Sequence, residues 1–219
     1  MQKNTLIFIV NFSKNHQFKS LLNIPGEPDN LQVTQETKLL GYWLTNDMKP
    51  HTHIQYLLTI VNKRMWSITK LKRAGVKETD LKYFFIMKLR SVLESGAAVF
   101  HSMLTGEDSD NLERVQKTFC HIVMGSRYLD YDHALEHIGL EKLANRRDEI
   151  CLNFALNCLR NEKFKNLFIQ LPKTEHDFRG ERRAFLEPQC TTERYKNSPL
   201  VYLTRQLNIY FDALPTEKD

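Results

Sequence analysis

The chain has 219 residues, of which 42% are hydrophobic and 26% charged, and its formal net charge is +5 at pH 7. These values fit one domain, or two small ones, of an ordinary globular protein, and they exclude a fibrous or largely disordered chain. The apolar run at residues 6–10 is too short for a secretory signal, and no run approaches the eighteen or more apolar residues of a membrane span. We therefore expect a soluble intracellular protein, cytoplasmic or nuclear, without a membrane partner.

The first fifty residues show strand and turn patterns. Residues 6–12 are apolar and β-branched, which predicts a strand, and the I-P-G-E-P-D segment at residues 24–29 predicts a turn. Residues 31–33 and 38–45 predict two further short strands, the second with Gly41 marking a bulge or the close approach of another backbone. Together they predict a small antiparallel sheet.

After Pro50 the apolar residues recur at helical spacing, so we predict a helical body. The first helix would have Thr52 as its N-cap and end near Gly75. A second, at residues 79–100, is apolar nearly all round, which predicts that it lies buried at the centre. The further predicted helices span residues 109–124, 132–138, 141–160 and 200–210.

The predicted fold class is therefore mainly α with a small N-terminal antiparallel β segment (α+β). Its helices would form a bundle. We divide the chain into a β-rich part at residues 1–50, a helical body at 51–172 and a C-terminal extension at 173–219.

The positive charge is concentrated in one segment. Between Thr52 and Leu93 there are nine Lys or Arg residues and two acids, so this segment carries +7 and the remainder −2. On a helical wheel Lys63 and Lys70 lie opposite Ile54, the centre of the apolar face. A basic segment on a near-neutral body indicates contact with a polyanion, and the alternative is a solvated helix face.

Aromatic residues lie among these cations, a combination suited to phosphates and exposed bases or sugars. Trp66 flanks the two lysines, although it could instead pack on a neighbouring element. The predicted nucleic-acid-binding residues are Lys63, Arg64, Trp66, Lys70 and Arg73.

No catalytic or metal site is predicted. Tyr128-Leu129-Asp130 looks like the start of a polymerase Y-x-D-D signature, but Tyr131 interrupts the adjacent carboxylates that such a site needs. The four cysteines are widely spaced without a C-x-x-C pair, so free thiols are expected. A zinc site involving His51, His53 or His121 is the alternative, with no recognised ligand spacing to support it.

An ordered series of short motifs runs along nearly the whole chain. They are K-L-L-G at residues 38–41, L-E-S-G at 93–96, F-H-S at 100–102, L-E-R-V-Q-K at 112–117, L-A-N-R-R at 143–147 and T-E-R-Y-K-N-S at 192–198. In this order and spacing they resemble the C-terminal part of the reverse transcriptases of non-LTR (LINE-class, jockey-like) retrotransposons. The chain departs from that pattern at Ser95, where Tyr is usual, and at Phe100, where Trp is usual.

The resemblance implies the end of a palm, a helical thumb and a C-terminal extension. Leu40, Gly41 and Tyr42 would then help to position the primer, and the basic helix would grip an RNA–DNA or DNA duplex. The family's catalytic aspartates and its divalent metal belong to an upstream region, so this chain is expected to have no cofactor and no polymerase activity alone. Its partners would include the fingers and palm of the full enzyme.

A different class of function also fits the sequence. The chain could be a helical protein-interaction module, derived from a decayed or domesticated retroelement and without a nucleic-acid role.

Overall fold

The computed structural model describes residues 6–8, 10, 32–171 and 184–213. The chain divides into two compact units, Met1–Leu57 and Leu58–Asp219, whose boundary falls inside the first helix. The predicted turn at residues 24–29 lies outside the described residues. The division into three parts at residues 50 and 172 stays a prediction.

The described part of the first unit contains two small two-stranded sheets. Strand β1 (Leu6–Phe8) pairs with β2 (Gln32–Thr34) in parallel, so the predicted small antiparallel sheet is formed by the next two strands and does not include β1. Strands β3 (Glu36–Leu39) and β4 (Tyr42–Thr45) form an antiparallel hairpin in which Leu39 is opposite Tyr42.

The hairpin corrects the prediction of one continuous strand at residues 38–45. Leu40 and Gly41 form a two-residue turn with φ angles of 49° and 89°. Such a turn needs left-handed backbone at both central positions, which suits glycine at the second. Gly41 therefore reverses the chain. A Cβ added to it would meet nothing within 4 Å among the described residues, so no described backbone approaches it closely.

The second unit is helical, as predicted. Helix α1 (His51–Arg73) enters it from the first unit and begins one residue before Thr52, so Thr52 is not its N-cap. The elements that follow are α2 (Glu78–Phe85), a π-helical turn (Ile86–Arg90), α3 (Ser91–Glu94), α4 (Ala97–Phe100), α5 (Gly106–Met124), α6 (Tyr131–Ile138), α7 (Leu143–Arg160), α8 (Glu193–Lys196) and α9 (Pro199–Asp212).

The predicted single helix at residues 79–100 is broken and only partly buried. Ser95 is extended and Gly96 is left-handed, with φ of 77°, so the helix stops and restarts there. Its buried stripe contains Leu81, Phe85, Leu89 and Leu93. Tyr83 and Met87, by contrast, expose about two thirds of their surface (66% and 68%).

Helix α7 organises the core of the second unit by packing against α4, α5 and α9. One apolar cluster joins α7, α9 and the segments beside them; its members are Cys151, Ala155, Cys158, Phe168, Phe185, Leu203 and Leu207. On the other side of α5, Phe119 stacks on Phe85 of α2, with ring centroids 4.1 Å apart. In the described ranges no helix is long and apolar enough to cross a membrane.

Candidate nucleic-acid interface

Helix α1 separates an apolar stripe from a cationic face. Its buried residues are Ile54, Leu57, Val61, Met65 and Ile68, which recur every three or four positions. Its 23 residues include five Lys or Arg and no carboxylate. The acid-free composition makes the solvent-facing side of this helix positively charged along two of its turns.

The cationic face carries Lys63, Trp66, Lys70 and Arg73, all exposed. Trp66 exposes 65% of its surface, so the indole is not a core residue and the packing alternative does not hold. The Lys70 Nζ lies 5.1 Å from the centroid of the indole ring, within the range of a cation–π contact. Lysine and indole thus form one surface feature, which we call the Trp66 platform.

The charges of this face are not neutralised within the part of the chain that the structure describes. No described carboxylate lies within 4 Å of Lys63, Lys70 or Arg73. Lys72, on the buried side of the helix, pairs with Glu78 at 3.4 Å. The three cations that point to solvent are therefore available to an external anion.

Arg64 differs from its neighbours. Its Nη1 donates a 2.6 Å hydrogen bond to the backbone carbonyl of Lys88 in the π-helical turn. This bond holds Arg64 at the flank of the face and brings the exposed Lys88 next to α1. We therefore expect Lys88, which the sequence did not single out, to extend the cationic surface, and Arg64 to act partly as an anchor between the two elements.

The three predicted primer-positioning residues are consecutive, with Leu40 and Gly41 in the hairpin turn and Tyr42 at the start of β4, but they differ in exposure. Leu40, at the tip, is fully exposed, and Gly41 is exposed beside it. Tyr42 is half-buried, with its ring centroid 3.9 Å from that of His53. Burial raises the pKa of Tyr42 to about 12. Leu40 and Gly41 are therefore the more accessible of the three residues to a ligand.

The L-E-R-V-Q-K motif forms internal contacts. The Glu113 carboxylate accepts hydrogen bonds from the Leu143 amide (3.1 Å) and from the Tyr131 hydroxyl. Gln116 is fully buried, and its Nε2 donates to the Tyr131 hydroxyl (2.9 Å) and to the Glu141 carbonyl (2.7 Å). Because Leu143 is the first residue of α7, Glu113 satisfies one of the amides that a helix N-terminus leaves unpaired. The motif fixes α6 and the start of α7 on α5.

The arginine pair of the L-A-N-R-R motif is also internal. Arg146 donates to Glu94 of α3 (3.3 Å) and to Glu149 (2.7 Å). Arg147 is only 1% exposed, and its Nη2 donates to the Ser109 hydroxyl at 3.2 Å. Its Nη1 is buried without a hydrogen-bond partner among the described residues. Burial lowers the pKa of Arg147, while the charges of Glu113 and Asp148 oppose that shift.

A chain of hydrogen-bonded polar side chains continues from the buried Arg147. Its Nε donates to His101 Nδ1 at 3.2 Å, and His101 Nε2 lies 2.7 Å from the Asp148 carboxylate. Since Nδ1 accepts, the neutral tautomer carries its proton on Nε2 and donates it to Asp148. The Tyr202 hydroxyl of α9 donates to the same carboxylate. This chain of polar side chains links α7, α9 and the turn that carries His101, and no motif in the sequence predicted it.

The remaining candidates from the sequence have structural roles. Asp130, in the segment that looks like a polymerase signature, is the N-cap of α6, where its Oδ1 accepts from the His133 amide at 2.8 Å. All four cysteines are free thiols, and burial raises the pKa of Cys120 and of Cys151 to about 12. Within the described residues no three His, Cys, Asp or Glu side chains are grouped to hold a metal ion.

No family model, curated protein or solved structure matches this chain. A functional interpretation therefore depends on the surfaces described above and on the resemblance of the motifs.

Proposed function

We propose that this chain is a nucleic-acid-gripping C-terminal segment of a non-LTR retrotransposon reverse transcriptase, in which α1 contacts an RNA–DNA or DNA duplex. The cationic face of α1 is the observation that carries the proposal. Lys63 and Lys70 lie seven residues apart on one face, or roughly 10 Å along the helix. Phosphates of one duplex strand are spaced about 3.4 Å along its axis, so the two lysines can reach phosphates a few nucleotides apart.

The remaining parts of the proposal follow from the resemblance. The exposed tip at Leu40 and Gly41 would lie near the primer end, and the fingers and palm of the full enzyme would supply the catalytic aspartates and divalent metal. An intracellular location, cytoplasmic or nuclear, belongs to the same proposal.

A protein-interaction module is the second candidate. Tyr83 and Met87 favour it, because they are large exposed apolar side chains about one helical turn apart. Aromatic residues and methionine are enriched in the buried centres of protein interfaces. The two candidates differ in the ligand of α1, which can be measured directly.

Binding of a fluorescently labelled RNA–DNA hybrid tests the proposal. The double variant Lys63→Glu/Lys70→Glu removes two phosphate contacts, each of which releases counterions, and we expect it to bind roughly a hundredfold more weakly at 50 mM salt. The control variant Lys163→Glu/Lys196→Glu makes the same change of net charge at exposed lysines outside α1. Equal affinities of the two variants would reject the nucleic-acid role of α1 and favour the interaction module.

A further inference from the structure

Duplex binding alone does not require the exposed indole ring of the Trp66 platform. Phosphate contacts need cations, which Lys63, Lys70 and Arg73 supply. A large aromatic ring that exposes 65% of its surface between such cations has no role in holding a duplex by its backbone. It is also not needed for packing, since the apolar stripe of α1 lies on the opposite side of the helix.

The position of the ring relative to the cations suits one nucleotide and its flanking phosphates. Trp66 follows Lys63 by three residues and precedes Lys70 by four, so each lysine lies about one helical turn, or roughly 5 Å, from the indole along the axis. Lys70 approaches the ring itself, at 5.1 Å from its centroid. A strand that runs along α1 would therefore place phosphates at the lysines and a base or sugar at the indole.

A base can stack on a protein side chain only if it has a free face. In a continuous duplex each base is covered by neighbours on both sides, whereas unpaired nucleotides present their faces to aromatic side chains. Cationic grooves with interspersed aromatic residues bind single strands in this way, largely without regard to sequence. Charge favours this ligand over a protein, because α1 has five cations and no acid.

We propose that Trp66 is a stacking site for an unpaired nucleotide, so that the cationic face of α1 binds single-stranded RNA or DNA, including a strand that extends from a duplex. This inference deepens the proposed function and depends on it. The ligand class is a single-stranded polynucleotide, recognised by base stacking on Trp66 and by phosphate contacts to Lys63 and Lys70.

The chain offers a direct optical readout. It contains two tryptophans, and the other, Trp43, lies half-buried in the β3–β4 hairpin. In the Trp43→Phe protein all tryptophan emission comes from Trp66. Stacking of a base on an indole quenches its emission, whereas contact between lysines and a phosphate backbone does not bring a base to the ring.

Two ligands separate stacking from backbone contact: a 20-nucleotide single strand without secondary structure, and relaxed closed-circular duplex DNA, which has no ends. We expect the single strand to quench Trp66 emission and the closed duplex to bind without quenching. Trp66→Ala should weaken single-strand binding roughly ten- to hundredfold, while duplex binding changes less than about threefold. Trp66→Phe keeps a ring and should restore part of the single-strand affinity.

The outcomes distinguish this inference from the proposed function. If duplex binds but the single strand causes no quenching, or if Trp66→Ala weakens both ligands equally, the stacking site is refuted and the duplex role remains. If neither ligand binds the Trp43→Phe protein or the wild type, both proposals are wrong. Circular dichroism of each variant shows whether the helices are intact, and the Trp66→Phe result keeps the test decisive if the alanine variant is unstable.

Discussion

Replacing Glu113 by alanine tests whether the L-E-R-V-Q-K motif is architectural. The change removes the acceptor for the Leu143 amide and for the Tyr131 hydroxyl. A hydrogen bond to a charged group contributes about 1.5–3 kcal/mol. Glu113 is half-buried, and Tyr131 keeps its contact with Gln116, so we expect the lower end for each bond and a total loss of about 3 kcal/mol. For a domain of this size that corresponds to a fall in Tm of roughly 6–12 °C.

Urea unfolding followed by circular dichroism measures this loss, with Arg114→Ala as the control. Arg114 is the next residue on α5 and is exposed, so its replacement should change the free energy of unfolding by less than about 0.5 kcal/mol. A double-mutant cycle with Tyr131→Phe should give a coupling of about 1–2 kcal/mol. The folded Glu113→Ala protein should bind nucleic acid like the wild type. A stability loss below 0.5 kcal/mol, or weakened binding by fully folded protein, would refute the architectural role.

Two further predictions concern the chain of polar side chains that begins at Arg147. Arg147→Ala leaves the acceptors on His101 and Ser109 without their donor and leaves a cavity, so it should lower the free energy of unfolding in urea by about 3–5 kcal/mol. Arg147→Met fills the space and should lower it by less than half as much. Equal losses in the two variants would contradict this reasoning. Burial, together with the charge of Arg147, holds the pKa of His101 below its usual 6.5, against the opposing effect of Asp148. As the pH falls, His101 is therefore protonated in the unfolded chain before it is protonated in the folded protein. Its contribution to the free energy of unfolding is complete above pH 6.5 and is lost as the pH falls through the lower pKa of the folded state. The free energy of unfolding of the wild type, measured at pH 7.5, 6.5 and 5.5, should decline as the pH falls. The decline should be smaller in His101→Gln, and equal declines in the two proteins would exclude His101 as the cause.

The helical body could be predicted from the sequence because its helices carry long apolar stripes with clear ends. The predicted helices at residues 109–124 and 200–210 correspond to α5 and α9 within a few residues. The apolar periodicity predicts these helices correctly because only an α-helix places side chains at 3.6-residue spacing on one buried face.

The errors arose where a local backbone conformation overrides that periodicity. Leu40 has positive φ although it is not glycine, so the hairpin turn had only Gly41 as a signal. The π-helical turn Ile86–Arg90 adds a residue to the helix and so shifts its phase, which keeps the buried residues Leu81, Phe85, Leu89 and Leu93, spaced four apart, on one stripe. A search at one fixed period cannot detect such a shift.

Only part of the candidate site could be predicted from the sequence. Lys63, Trp66 and Lys70 share one helix, so the helical wheel alone places them together. Contacts between distant positions could not be predicted. Arg64 donates to the Lys88 carbonyl, 24 residues away, and Tyr202 donates to Asp148, 54 residues away. Such pairings depend on how distant elements pack together, α1 with the π-helical turn and α7 with α9, which spacing in the sequence does not specify.

The salt dependence of hybrid binding tests the central claim, that the cationic face of α1 grips nucleic acid, most directly. Each phosphate contact adds about 0.9 to the slope of log affinity against log salt. We predict that Lys63→Glu/Lys70→Glu flattens this slope by about one to two units. The change should be similar for two unrelated hybrid sequences, because phosphate contacts carry little sequence information. An unchanged affinity and slope in a double variant with unaltered circular dichroism would contradict the claim and show that this face is merely solvated.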